Sequence, residues 1–114
     1  MLTENKKKII LDLLKKGIEH HGTKNYHDAI KLYKEVLIID NKNYDAIRHL
    51  GIANLDQGIY EKAEHFFKKA ISIRSDLPEA YNNLATVFLK LRKYEKATEY
   101  YNACLKINSS YLPA

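Results

Sequence analysis

Residues 44–77 read YDAIRHLGIANLDQGIYEKAEHFFKKAISIRSDL, and their pattern stands on both sides of them at an interval of 34 residues. Tyr26, Tyr60 and Tyr94 share a column, as do Ala29, Ala63 and Ala97. The aromatics Tyr33, Phe67 and Tyr101 form a third, followed by Val36, Ala70 and Cys104, then by Leu37, Ile71 and Leu105. Upstream, Gly17, Gly51 and Ala85 align, and so do Leu13, Ile47 and Tyr81. Self-similarity at such a period is the signature of a stacked repeat architecture.

Each copy reads as two helices. In the middle copy, Ile47, Leu50 and Asn54, then Ala63, Phe67, Ala70 and Ile71, recur at helical spacing. Gly58 falls where a left-handed residue ends the first helix. Lys24 and Arg92 hold that column in the other copies, which predicts a less regular turn there. Pro78 suits the first position of a helix. Gly51 and Ala63 let two helices approach, and Tyr60 and Phe67 fill the space beside that contact.

Composition agrees with a helical domain. Apolar residues make up 46% of the 114 residues and charged ones 29%, which excludes a disordered chain. A lone cysteine, Cys104, permits no internal disulfide, so a cytoplasmic location is expected. No apolar run approaches the ~20 residues of a membrane span. The excess of the +5 net charge sits at the two ends, and most basic residues alternate with acids along helices, as in EKAEHFFKKA, which reads as a solvated face.

The columns at this period resemble the tetratricopeptide repeat. Copies two and three follow its pattern closely in AIRHLGIANLDQGIYEKAEHFFKKAISI and AYNNLATVFLKLRKYEKATEYYNACLKI. In copy one, Lys16 and His20 replace an aliphatic and an aromatic. The resemblance implies an all-α fold: a right-handed α-solenoid of three helix-turn-helix hairpins, six helices with an N-terminal extension of the first. Residues 1–114 then form one domain, with an extension at 1–9, repeats at 10–43, 44–77 and 78–111, and the start of a fourth repeat or a tail at 112–114.

The resemblance also implies a concave groove lined by the first helix of each hairpin. Its positions fall on Leu14, Ile18 and His21 in copy one, and on Arg48, His49, Ile52 and Leu55 in copy two. Copy three supplies Asn82, Asn83, Thr86, Leu89 and Lys90. One subtype of the family clamps a C-terminal carboxylate with Lys, Asn and Arg. Here those positions are Leu14, Ile18, His49, Glu79 and Asn83, and only Asn83 suits the task.

The five histidines show no pair three or four residues apart, so no metal or cofactor is expected. Cys104 shares a column with Val36 and Ala70 and reads as a small buried contact, not a nucleophile. Tyr26, Tyr33, Tyr60, Tyr94 and Tyr101 sit in repeat columns and read mostly as core. Ile10, Leu13, Leu14 and Gly17 or Ile18 make an apolar stripe behind the N-terminal lysines, which suggests a helix covering the first repeat. At the far end, Leu112 and Pro113 look like the opening of a further copy, leaving Tyr100, Cys104, Leu105 and Ile107 partly uncovered. That end either continues into a longer protein or pairs with a second copy of itself. The expected function is a protein-interaction scaffold without catalytic residues, binding a protein or peptide and not nucleic acid. A recruiting array of a larger enzyme, such as a glycosyltransferase or methyltransferase, is the alternative, and nucleic-acid binding a weaker one.

Overall fold

The computed structural model describes residues 2–107, in which six helices follow one another without strands. They are α1 (Glu4–Gly22), α2 (Tyr26–Ile39), α3 (Tyr44–Asp56), α4 (Tyr60–Ile73), α5 (Pro78–Lys90) and α6 (Tyr94–Ile107). The opening of a fourth copy at Leu112 and Pro113 lies outside the described residues.

Local chemistry sets the helix ends. The Thr3 hydroxyl accepts from the Lys6 N–H at 3.1 Å, and Asn43 Oδ1 accepts from the Ala46 N–H at 2.9 Å. Each satisfies a backbone donor left free in the first turn. Pro78 occupies the first turn of α5, where its missing N–H costs nothing.

The three turns inside the hairpins are alike, contrary to the expectation for Lys24 and Arg92. Lys24, Gly58 and Arg92 all take left-handed backbone, with φ of 64°, 77° and 61°. Their N–H groups donate to the carbonyls of His21, Leu55 and Leu89 at 2.9, 3.0 and 3.0 Å. The next N–H groups, of Asn25, Ile59 and Lys93, donate to His20, Asn54 and Phe88, each at 2.8 Å. This paired closure satisfies the last carbonyls of the helix. It is worth enough that lysine and arginine accept a conformation glycine would enter freely.

The chain builds a solenoid 42 × 28 × 23 Å in extent. Within each hairpin the two helices pack along their length, and each hairpin packs on the next. First helices of neighbouring hairpins also touch, α1 with α3 and α3 with α5, whereas α2 and α4 do not. The closely spaced row must lie on the inside of the curve, so α1, α3 and α5 line the concave face.

The core runs through the stack without a break. Ile10, Leu14, Ala29, Tyr33 and Val36 join Ala46 and Leu50 of the next copy. Ile47, Ala70 and Ala80 form the link between copies two and three, and Ala63, Phe67, Leu84, Val87 and Phe88 fill the far half. Asn54 stands in this core because its amide donates to the Leu50 carbonyl at 2.8 Å.

Three packing expectations need correction. Of the column tyrosines only Tyr33 is sealed, while Tyr94 is 59% exposed. Tyr60 packs against the cluster that includes α5, but among the described residues no element follows α6 to do this for Tyr94. Cys104 is fully buried, not part of an open end, because it lies in the contact of α6 with α5. In α1 the buried stripe is Ile10, Leu14 and Gly17, and Ile18 turns outward at 48% exposure.

Candidate functional site

On the concave face the repeat period sets successive hairpins side by side, and the side chains between them differ from one junction to the next. At the first junction α1 and α3 enclose two adjoining hollows, of about 540 and 220 Å³, that share Ile18 and His49. Leu14 borders the larger, and His21 and Ile52 the smaller. Five of the twelve groove positions therefore come together here, although Leu14 is mostly enclosed in the core.

The smaller hollow carries a feature that reading along the chain did not reveal. Tyr33 forms part of its lining, and its ring stacks on His49 with centroids 5.4 Å apart. Burial pushes the His49 imidazole down to about 4, with the charge of Arg48 and then of His21 adding to the effect. His49 is therefore neutral at pH 7 and keeps both a donor and an acceptor nitrogen. The Tyr33 phenol is pushed up to about 12 by burial, and its hydroxyl has no hydrogen-bond partner. His21 instead meets Asp56 at 2.6 Å and stands edge-on to Tyr26.

The second junction is polar. Arg48 Nη1 donates to Asn83 Oδ1 at 3.0 Å, which holds the guanidinium across α3 and α5. Its Nε is buried without a partner, and no carboxylate lies within 4.0 Å of this arginine among the described residues. Tyr44 bridges the same pair of helices: its hydroxyl donates to Glu79 Oε2 at 3.5 Å and accepts from the Ala80 N–H at 3.2 Å. Thr86 donates to the Asn82 carbonyl at 3.0 Å and lies 3.4 Å from the Tyr101 hydroxyl. Leu89 and Lys90 are exposed at the end of α5, whereas Leu55 is half-buried against the far core cluster.

A further hollow of about 530 Å³ opens on the outer face, bordered by Ile30, Lys34, Ile59 and Phe66. It exists because α2 and α4 do not meet. No residue expected in the groove borders it.

A curved stack of helical hairpins with such an inner face defines an α-solenoid repeat protein. Tetratricopeptide repeat models match residues 14–78 and 78–111, and the chain belongs to the tetratricopeptide repeat family. Protein O-mannosyl-transferase Tmtc3 of Drosophila melanogaster is 30% identical over 82 residues, which cover 72% of this chain and 9% of that protein. The chain thus spans a small part of this relative. Among solved structures, the first TPR of Spaghetti (RPAP3) bound to HSP90 peptide SRMEEVD superposes with a TM-score of 0.83 at 22% identity, covering 90% of this chain and 81% of that one. The Thermobaculum terrenum O-GlcNAc transferase mutant K341M gives 0.88 at 21% identity, covering 97% of this chain and 21% of that one. At such identities the likeness concerns the fold.

Proposed function

We propose that the chain is a non-catalytic scaffold that holds an extended or helical segment of a protein partner along its concave face. The pairing of two neighbouring features carries the reading: a hollow lined by Ile18, His49 and Ile52 at the first junction, and at the second a guanidinium held by Asn83 with no carboxylate within 4.0 Å among the described residues. A groove of this kind gives a partner both apolar area to bury and one charge to match. The first TPR of Spaghetti, of similar fold, was solved bound to an HSP90 peptide, which supports peptide binding as a use of this fold. Cytoplasmic residence, repeat boundaries at 43/44 and 77/78, and little affinity for nucleic acid belong to this reading.

The test is a comparative pull-down with mass spectrometry. Arg48→Glu reverses the groove charge without removing a core side chain, and Lys34→Glu is the matching change on the outer face. Partners should be lost at least about tenfold with the first and kept with the second. Full retention by Arg48→Glu, or loss confined to Lys34→Glu, sinks the groove assignment.

A second reading has its own observation. A mannosyl-transferase and a GlcNAc transferase are both similar to this chain over a small part of their length. The array would then recruit substrates for a catalytic domain on the same polypeptide. The reading frame that encodes the chain separates the two. Self-association through α6 would use Leu105, which is 39% exposed, together with Tyr100 and Ile107, both half-buried, and sedimentation at several concentrations tests it.

A further inference from the structure

The Tyr33 hydroxyl is anomalous when the three copies are compared. Its column holds Tyr33, Phe67 and Tyr101, and the column beside it on the concave face holds Ile18, Ile52 and Thr86. Copy two pairs an apolar ring with an aliphatic, and nothing polar is left over. In copy three the Tyr101 hydroxyl lies 3.4 Å from the Thr86 hydroxyl, which can serve as its partner. Copy one alone combines a tyrosine with an isoleucine, so the hydroxyl is enclosed with no partner. A buried hydroxyl in that state destabilises the fold, and such exceptions call for an explanation.

The residue lines a hollow of about 220 Å³ whose other walls are Ile18, Ile52, His21 and His49. Two opposite hydrogen-bonding characters meet there on an apolar surface. The phenol can donate, and the neutral imidazole stacked on it can accept. His21 is already engaged by Asp56 at 2.6 Å, so a carboxylate meets no unpaired cation in the lining, and no carboxylate lines the hollow to receive an ammonium. A primary amide matches both groups, its carbonyl taking the phenol proton and its NH₂ giving one to the ring nitrogen.

We infer that this hollow is an amide subsite, which receives a glutamine or asparagine side chain of the partner segment with its methylenes against Ile18 and Ile52. Ile18, half-exposed, is the side chain that yields to admit it. The inference rests on the reading that the concave face receives a protein segment, but its test needs no partner.

Butyramide, butyrate and butylammonium are titrated into the isotope-labelled chain and followed by NMR. Butyramide should shift the Ile18 and His49 resonances saturably at millimolar concentration, and the charged probes at least about fivefold more weakly. Two variants check the phenol. Tyr33→Phe copies the residue of the second repeat, so it should fold with a raised Tm and lose about fivefold in amide affinity. Ile18→Thr copies the third repeat, gives the hydroxyl an internal partner, and should also weaken the amide. Absence of a saturable shift, equal binding of butyrate, or unchanged amide affinity in Tyr33→Phe each overturns the subsite. The pull-down with Arg48→Glu judges the groove separately.

Discussion

Copies one and two seat a whole aromatic ring in space left by a glycine, and copy three does not. Tyr33 lies over Gly17 and Phe67 over Gly51, and both rings are fully buried. A methyl group at Gly17 would stand 2.5 Å from Tyr33 Cε1, and one at Gly51 2.6 Å from Phe67 Cε1. Copy three already carries that methyl as Ala85, and Tyr101 is only partly buried. The same column therefore does different work. In the first two copies a missing Cβ sets the distance between helices. In the third the ring is only partly buried and its hydroxyl meets Thr86.

The largest effect is expected from erasing this difference. Gly51→Ala gains about 1 kcal/mol in helix propensity but forces a sealed ring to move, at a cost of about 3 kcal/mol. The net loss of about 2 kcal/mol should lower Tm by roughly 10 °C in a domain of this size. Ala85→Gly should lower stability by no more than about 1 kcal/mol, because a ring able to settle inward offsets lost propensity. Equal losses in the two variants, read by urea denaturation, would show that the columns do not differ as described.

The junctions differ in their response to pH. His49 covers Tyr33 between copies one and two, and Asn83 holds the same column between copies two and three. The folded imidazole is held at about 4, below the ordinary value of 6.5, by burial and by the positive charges of Arg48 and His21. The unfolded chain therefore takes up this proton first as pH falls. The contribution is complete above pH 6.5 and declines between 6.5 and 4, by about 3 kcal/mol in all. His49→Asn, the residue of the other junction, should flatten that part of the curve. A variant whose stability still falls as steeply as the parent's between pH 7 and 4.5 would place the cause elsewhere.

The smallest effects belong to the turns. Lys24→Gly and Arg92→Gly relieve a left-handed backbone and should each raise stability by up to about 1 kcal/mol, while Gly58→Lys should lose a similar amount. Thermal melts of the three variants check this. A loss in Arg92→Gly would mean that its side chain holds the turn by a contact.

The helices and their pairing were legible because their causes are local and repeated. Apolar spacing gives each helix one buried face, and a period shared by three copies confirms it. The register alone set Arg48 and Asn83 on the first helices of neighbouring copies. It did not set their mutual hydrogen bond, since both are polar residues that water would satisfy equally well. Tyr33 was legible as core but not as groove, because one residue can fill a core with its ring and line a hollow with its edge.

By itself the sequence determined how many helices form and how they pair into hairpins, since propensity, capping and period act along the chain. Only the tertiary structure decided that Lys24 and Arg92 turn as Gly58 does, that Tyr94 stays exposed, and that Tyr33 keeps an unpartnered hydroxyl beside Ile18 and a neutral His49. Those outcomes depend on which side chains meet across a junction. Desolvation and hydrogen-bond satisfaction are properties of the enclosed space, and a residue's place in the period does not specify them.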